Sequence, residues 1–325
     1  MRTLKRHEYD LFCNIAQLNQ ATLKSVLSKY LKKKYKKVCE TKEYLYAEGQ
    51  IPIALVAHMD TVFKDTPKEI FYDTVKNVMW SPEGLGADDR AGIFAILSIL
   101  EAGYRPHVIF TTDEECGGIG AMALAKEKMP FKDLRYLIQL DRRGTNDCVF
   151  YDCDNPDFVD YIEPFGFQEA WGSFSDISEL CPEWKVAGVN LSIGYKDEHS
   201  YTERLYVSPM LATIEKVKKM LSKKDIPSFK YIPVIYPYAY SWGKKFNNPV
   251  YIKCAKCGKH FYEEDLTPVK MLDGTIKFLC TDCILDDNKI SFCHACYEAF
   301  EYEDEDNIPS FCEKCEKEAF SKGVI

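Results

Sequence analysis

The stretch "GLGADDRAGIFAILSILEAGYRPHVIFTTDEECGG", residues 84–118, contains a helix signal and a strand signal side by side. The part "DDRAGIFAILSILEAG" predicts a helix, because Asp at its start and Gly103 at its end favour helix termini. The part "HVIF" is a short apolar run, which indicates a strand buried in a sheet. Two adjacent glutamates, Glu114 and Glu115, come directly after this strand.

The alternation of strands and helices continues on both sides of this stretch. Helical spacing covers residues 4–34, and hairpins are predicted from "KKVCE" with "EYLYAEG" and from "IFYDTV" with "NVMWS". The predicted core strands are "IALVA", "HVIFTT", "LRYLIQLD", "DCVFYDC" and "KVAGVNLS". Because helical segments separate them, we predict an α/β fold, a three-layer α/β/α sandwich with a mainly parallel sheet, over residues 1–224.

Two further regions follow this domain. Residues 225–249, "DIPSFKYIPVIYPYAYSWGKKFNNP", hold four prolines that block a continuous helix, so we predict a linker. Residues 250–325 hold eight of the 14 cysteines, arranged as four Cys-x-x-Cys pairs. This last region is predicted to be a small domain that depends on bound metal, because units this short cannot bury a sufficient core.

Charge and composition narrow the class of protein. The net charge of −8 argues against general affinity for nucleic acid. No run approaches the ~20 apolar residues of a membrane helix, and the first residues, "MRTLKRHEYDLF", do not resemble a signal peptide. Cysteine pairs in such a chain indicate metal binding in a reducing compartment. We therefore expect a cytoplasmic protein without membrane association.

Polar residues that can bind metal stand at the predicted strand ends and at the start of the first core helix, which carries Asp88 and Asp89. In α/β sheets the carboxyl ends of the strands form sites, so these residues should meet at one edge. Two divalent metals that share a bridging carboxylate require about this set of histidines and carboxylates. Of two adjacent glutamates, one can bind metal while the other acts as a general base. The residues at this edge are His58, Asp60, Asp88, Asp89, Glu114, Glu115, Asp141 and His199.

Five segments, "HMDTV", "GLGADDRAG", "TTDEECGG", "QLDRRG" and "EHSYTERLYVS", resemble in this order the motifs of the co-catalytic zinc peptidase clan. This clan includes the peptidase T/carboxypeptidase G2-like family M20 and the aminopeptidase family M28. The resemblance covers about residues 50–222. The metal ligands that it implies are His58 and Asp141 for one metal, Glu115 and His199 for the other, and Asp88 as the bridge.

The same resemblance implies catalytic roles. Glu114 would be the general base on a metal-activated water, and Asp60 would orient His58. The peptide bond after Asp88 would be cis. The two active-site metals would be zinc, with cobalt and manganese as alternatives.

One departure from the peptidase T-like pattern concerns domain content. Enzymes of that branch carry a second, dimerising domain between the ligands that correspond to Asp141 and His199. Only 57 residues, 142–198, separate these positions here. The spacing is closer to that of the single-domain aminopeptidase branch.

Three residues are candidates for substrate binding. Arg142 follows a predicted ligand and could bind a substrate carboxylate through two hydrogen bonds, although an ion pair that shields the acidic site is an open alternative. Ser175 and Asp176 lie between the last two ligands in "WGSFSDISE", residues 171–179. They are candidates for lining the pocket.

The cysteine pairs of the tail have the spacing of zinc ribbons. Gaps of 22 and 15 residues between successive knuckles favour two tetrahedral zinc sites in tandem, each with four cysteine ligands, and interleaved pairing of the knuckles is an alternative. The predicted ligands of the two structural zinc ions are Cys254, Cys257, Cys280 and Cys283 in the first unit and Cys293, Cys296, Cys312 and Cys315 in the second.

The tail is acidic. Residues 254–325 contain eight Lys and Arg against sixteen Asp and Glu, which is the wrong sign for contact with phosphates. This balance favours docking of a protein partner or gating of substrate, with a purely stabilising appendage as the alternative.

Together these patterns favour metal-dependent hydrolysis of amide bonds, in particular by an aminopeptidase that acts on small peptides. An N-acyl amino acid deacylase or a carboxypeptidase could use the same site, so both alternatives stay open. An alternative of another class is an adaptor that has lost catalysis and binds partners through the zinc tail. The complete set of ligands and base favours an enzyme.

Overall fold

The computed structural model describes residues 2–234, 251–258, 260–262, 266–285, 289–293, 296, 298–302 and 309–321. The chain forms two compact units, Met1–Ile235 and Tyr236–Ile325.

The first unit contains twelve described strands and seven described α-helices. In chain order the strands are β1 (Lys37–Glu40), β2 (Tyr44–Glu48), β3 (Ile51–His58), β4 (Phe71–Asp73), β5 (Val78–Trp80), β6 (Pro106–Thr111), β7 (Tyr136–Arg142), β8 (Asp147–Val149), β9 (Gln168–Glu169), β10 (Gly188–Ser192), β11 (Tyr195–Lys196) and β12 (Arg204–Tyr206). The helices are α1 (Arg6–Ala16), α2 (Gln20–Lys34), α3 (Ala87–Glu101), α4 (Ile119–Ala125), α5 (Pro156–Ile162), α6 (Asp176–Trp184) and α7 (Val207–Leu221).

Eight strands form the main sheet in the order β1-β2-β6-β3-β7-β10-β8-β9. The central strands β6, β3, β7 and β10 run parallel, whereas β1, β2 and β8 pair antiparallel with their inner neighbours. Helices α1, α2, α3 and α7 cover one face, and α4 and α6 cover the other. The predicted three-layer α/β/α sandwich with a mainly parallel centre is therefore confirmed.

The central strands are continuously apolar because both faces of the sheet are covered. Along β3, Ile53 and Leu55 pack into the core on the α3 face, whereas Ala54 and Val56 pack into the core on the opposite face. All four side chains are fully buried. Successive residues of a strand point to opposite faces, so a strand between two helix layers needs apolar residues at every position.

A second, smaller sheet brings together two distant parts of the first unit. Its four antiparallel strands have the order β11-β12-β5-β4, and β12 pairs with β5 from Arg204 opposite Trp80 to Tyr206 opposite Val78. The turn that leads from β5 into α3 and the loop between β11 and β12 consequently start from neighbouring strands. Both predicted hairpins, β1 with β2 and β4 with β5, are present.

The described part of the predicted linker lies on the first unit. Ile226 and Phe229 are buried in its core, and isolated bridges join Val186 to Lys230 and Cys153 to Pro233. The predicted linker therefore packs against the first unit as far as Val234. Residues 235–249 of the predicted linker lie outside the described residues.

The described part of the second unit consists of two small sheets and two short helices. Its elements are β13 (Tyr251–Lys253), β14 (His260–Tyr262), β15 (Leu266–Lys270), β16 (Ile276–Cys280), α8 (Thr281–Leu285), β17 (Ile290–Phe292), β18 (Ala299–Glu301) and α9 (Glu313–Ser321). β13 and β14 form a hairpin, and the other strands form a sheet in the order β16-β15-β18-β17. Because β15 pairs parallel with β18, strands from both cysteine units share one sheet.

Candidate metal centre

His58 ends the central strand β3 and is almost completely buried, with 1% of its surface exposed. Its Nδ1 lies 3.2 Å from Oδ1 of Asp60, and its backbone N–H donates to Oδ2 of Asp89. Burial alone would lower the pKa of His58, but its contacts with carboxylates, chiefly Asp141, outweigh burial and raise the pKa well above its usual value. The imidazole is thus held in one orientation, with Nε2 directed at the acidic cluster.

Asp88 stands between the two histidines. Its Oδ1 lies 3.1 Å from Nε2 of His58, and its Oδ2 lies 3.2 Å from Nε2 of His199. The peptide bond from Asp88 to Asp89 is cis, as the resemblance implies. One carboxylate that offers each oxygen to a different histidine has the arrangement of a bridging ligand.

Asp141 completes the His58 side of the centre. Its Oδ1 lies 3.6 Å from Nε2 of His58 and accepts a hydrogen bond of 3.1 Å from the Tyr195 hydroxyl. Its Oδ2 accepts from Nε2 of Gln139 at 3.0 Å. Burial and the neighbouring Asp88 carboxylate raise the pKa of Asp141 to about 7.

Glu115 and His199 form the other side. Oε1 of Glu115 lies 3.0 Å from Nε2 of His199, yet among the described residues this buried oxygen has no hydrogen-bond partner. Two close acceptor atoms without hydrogen-bond geometry fit a shared cation between them. The side chain of His199 is 51% exposed, so this side of the centre faces outward.

Asp60 connects the histidine to the two glutamates. Besides its contact with His58, it accepts hydrogen bonds from the backbone N–H groups of Glu114 at 3.1 Å and Glu115 at 3.0 Å. Asp60 therefore positions one ligand side chain and the backbone of both adjacent glutamates.

Glu114 is the neighbour of Glu115 but has a different environment. It is partly buried, and among the described residues no hydrogen bond engages its carboxylate. Burial raises the pKa of the Glu114 carboxyl to about 8, against the opposing charge of His58. A free carboxyl that titrates near neutral pH is suited to accept and return a proton.

The donor set fits a pair of divalent cations. Ligand atoms within 4.8 Å of one another occur in the set His58, Asp88 and Asp141 and in the set Asp88, Glu115 and His199. The two sets share only Asp88. With the protein charges alone, buried carboxylates repel one another, and positive charge placed between them would remove this cost.

The three predicted substrate residues occupy different positions. The Arg142 guanidinium donates to the carbonyl of Trp171 at 2.9 Å and lies 3.9 Å from Asp147, so its described contacts are to its own domain. Ser175 and Asp176 are completely buried, with Ser175 3.5 Å from Oδ2 of Asp141. Ser175 therefore contacts Asp141, whereas Asp176 accepts hydrogen bonds from Thr111 and Gln139, and neither side chain presents surface to a substrate.

Several residues of the centre were not assigned a role from the sequence. Glu203 is buried and accepts hydrogen bonds from the backbone of Ala87 and Asp88, and Asn190 accepts from the backbone of Asp141. Tyr195 is buried beside Asp141. The sequence contains a signal for Glu203, because this residue belongs to the motif "EHSYTERLYVS". Asn190 and Tyr195 lie in no such motif.

The cysteines of the second unit group as the tandem arrangement predicts. One group contains Cys254, Cys257, Cys280 and Cys283, and the other contains Cys293, Cys296, Cys312 and Cys315. Burial by itself would raise the pKa of Cys254, but backbone N–H groups of Cys257 and Cys280 facing its sulfur lower the pKa to about 6. Four thiols around one point, one of them readily ionised, fit a tetrahedral metal site.

A protein-family profile decides the affiliation of the chain. Residues 54–264 match the profile of peptidase family M20/M25/M40. The chain belongs to this family. The matched region contains every residue of the candidate metal centre in the first unit described above.

Solved structures similar to this M20 family member share its fold. A tripeptidase from Staphylococcus aureus subsp. aureus Mu50 aligns with a TM-score of 0.54 at 14% identity over 65% of this chain and 96% of that one. An aminopeptidase from the archaeon Desulfurococcus kamchatkensis aligns with a TM-score of 0.53 at 14% identity over 67% and 95%. The aminopeptidase PepT from Bacillus cereus ATCC 10987 aligns with a TM-score of 0.51 at 14% identity over 65% and 96%. A comparison with curated proteins found no match.

In this chain, no inserted domain separates Asp141 from His199. Residues 142–198 are all described, and they form β8, α5, β9, α6, β10 and β11 as part of the first unit.

In the described residues, no helix is long and apolar enough to cross a membrane.

Proposed function

We propose that the first unit is a two-metal aminopeptidase that removes N-terminal residues from small peptides. The observation that carries this proposal is the placement of Asp88, whose two oxygens face His58 and His199 while a second carboxylate completes each set. Membership of peptidase family M20/M25/M40 supports hydrolysis of peptide bonds as the reaction class.

In this proposal, His58 and Asp141 would hold one divalent ion, Glu115 and His199 would hold the other, and Asp88 would contribute to both. Zinc is the ion we expect, with cobalt or manganese as alternatives. Such ions polarise the scissile carbonyl and make a water molecule acidic enough to react at neutral pH. Asp60 keeps the Nδ1 of His58 occupied, so that Nε2 faces the metal.

Glu114 carries the proton that leaves the attacking water. Its carboxylate takes a proton from the attacking water and returns it to the amine that leaves when the amide C–N bond breaks. Its raised pKa of about 8 and its lack of hydrogen bonds to described residues suit this role. Glu115, by contrast, is committed to binding metal.

The test separates an aminopeptidase from the two alternatives that could use the same site. The substrates are a free tripeptide, its N-acetylated form and an N-acetyl amino acid, each tested with Zn²⁺, Co²⁺ and Mn²⁺. We expect release of the first residue from the free tripeptide and at least ~100-fold lower kcat/KM for the acetylated form, because the site must bind the free amine. Cleavage of the N-acetyl amino acid instead would indicate a deacylase, and release of the last residue a carboxypeptidase.

The second unit is proposed to hold two structural zinc ions through its two groups of four cysteines. Its excess of acidic residues supports a role in binding a protein partner or in gating substrate. The four Cys-x-x-Cys pairs, which indicate metal binding in a reducing compartment, support a cytoplasmic location. An adaptor without activity is disfavoured, because a chain that only binds partners has no need for a complete set of ligands and a free base.

A further inference from the structure

Glu203 is a buried carboxylate that has no role in the reaction as proposed. Only 1% of its surface is exposed, and it lies in the turn between His199 and strand β12. Its Oε2 accepts a hydrogen bond of 3.0 Å from the backbone N–H of Ala87, and its Oε1 accepts one of 3.1 Å from the backbone N–H of Asp88. Both oxygens of Glu203 are therefore directed at the turn that carries the bridging ligand.

The amides that Glu203 binds need a partner from elsewhere in the chain. They lie at the start of α3, where the backbone of Asp88 and Asp89 is not helical, so no preceding helical turn offers them an acceptor. The preceding residue, Gly86, has a φ of +64° and no side chain that could cap the helix. The regular helix that follows is capped locally by Asp89, whose Oδ1 accepts from the N–H of Gly92. Glu203 instead binds the two amides that precede the regular helix.

The position of Glu203 in the chain joins two ligand-bearing segments. It follows His199 by four residues, and its own N–H donates to the carbonyl of Ser200 at 3.1 Å, which closes the turn. The pairing of β12 with β5 holds the bases of both segments together, and Glu203 connects their tips. Glu203 is therefore one of the contacts that hold the His199 loop next to the Asp88 turn.

The two sides of the metal centre are not supported equally. His58 is buried and is held by Asp60 and Asp89. His199 is half exposed and lies in a loop, with a positive φ of 61°. Loss of the Glu203 link should therefore disturb the side with His199 more than the side with His58.

We propose that Glu203 is a positioning residue that fixes the Asp88 turn against the His199 loop and so sets the affinity of the second metal site. This inference rests on the proposed two-metal function.

The test measures binding of Mn²⁺ alone by equilibrium dialysis to the full chain and to Glu203→Gln. Mn²⁺ is suitable because it prefers carboxylate ligands to thiolates, so the cysteine groups do not contribute. The variant keeps the shape of the side chain but turns an NH2 group toward one backbone N–H. The matched control is Glu215→Gln, at an exposed glutamate of α7 that pairs with Lys218.

We expect two Mn²⁺ per chain in the unaltered protein and in the control. In the folded Glu203→Gln variant, one site should retain its affinity and the other should bind ~10- to 100-fold more weakly. If the folded variant kept two sites of unaltered affinity, the positioning role of Glu203 would be overturned, and the proposed two-metal function would stand. No binding of Mn²⁺ by the unaltered protein would overturn it together with the proposed function.

A second measurement does not depend on the folding of a variant. Hydrogen exchange of the unaltered protein should show protected amides at Ala87 and Asp88, because Glu203 accepts from both. Exchange of these two amides at the rate of an open loop would also overturn the inference.

Discussion

The carboxylate of Asp88 lies 3.2 Å from the imidazole of His199, a residue of a half-exposed loop on the other side of the metal centre. The second oxygen of the same carboxylate faces His58. Removing Asp88 should therefore affect both proposed metals at once.

Replacement of Asp88 by Ala is expected to lower the metal content from about four to about two ions per chain. The two ions that remain would be those of the cysteine groups, which share no residue with the main-domain centre. Elemental analysis of protein purified without chelator measures this content. Asp65→Ala, at an exposed aspartate, is the control, and a variant that retained four ions would contradict the bridging role.

The adjacent glutamates should respond differently to the same substitution. Glu114→Gln should lower kcat by ~10²- to 10⁴-fold and leave the metal content unchanged, because only the proton carrier is lost. Glu115→Gln should lower the metal content, because Oε1 of Glu115 faces His199. Metal analysis and turnover of a cleaved tripeptide, measured on both variants, provide the comparison. Full activity of Glu114→Gln would refute its assignment as the base.

Asp60→Asn is expected to weaken metal binding on the His58 side by ~10- to 100-fold. Asp60 holds Nδ1 of His58 and accepts from the amides of both glutamates, and a side-chain amide cannot accept all three hydrogen bonds. Competition with a fluorescent chelator measures the affinity. The control substitution Asp65→Asn should leave the affinity for metal unaltered. An unaltered affinity in Asp60→Asn would show that Asp60 does not position His58 for metal binding.

His107 should make the first unit less stable in mild acid. Burial lowers the pKa of His107 from 6.5 to about 4, and its ring stacks on Phe131. The unfolded chain therefore binds this proton below pH 6.5 while the folded chain does not, so stability is full above pH 6.5 and is lost as pH falls toward 4. The loss between pH 7.5 and pH 5 should be about 2 kcal/mol for this group.

Urea unfolding at several pH values tests this expectation. His107→Gln should have a flatter dependence of the unfolding free energy on pH, whatever its stability at pH 7.5. His7→Gln, at an exposed histidine, should keep the slope of the unaltered protein. If the free energy of unfolding had the same dependence on pH in all three proteins, the pKa of His107 would not be lowered in the folded state.

The two cysteine groups should lose metal together. The β15 and β18 strands, one from each cysteine unit, pair in a single sheet, so unfolding of one unit removes a neighbour from the other. In the Asp88→Ala background, Cys296→Ser should therefore reduce the tail metal from about two ions to fewer than one. Native mass spectrometry measures the count, with Cys39→Ser in the first unit as the control. A loss of one ion only would show that the groups are independent.

Local patterns predicted those parts of the protein whose physical cause is local. Apolar runs of strand length, helical spacing and the residues at helix ends depend on near neighbours in the chain, so the α/β/α sandwich was predictable from its alternating segments. The spacing of the cysteine pairs likewise predicted two groups of four, because each knuckle is formed by residues close in sequence. The candidate ligands were predictable because strand ends of a parallel sheet meet at one edge.

Contacts between distant segments were decided only by the tertiary structure. The sequence makes Ser175 and Asp176 candidates for lining the pocket, but tertiary packing buries both completely. The hydrogen bond that Glu203 accepts from the backbone N–H of Asp88 depends on the pairing of β5 with β12, which no local pattern encodes. The sequence by itself therefore determined the secondary-structure elements and the candidate residues for metal binding and proton transfer. The tertiary structure alone decided which side chains hold them in place, because those hydrogen bonds form only after distant strands have paired.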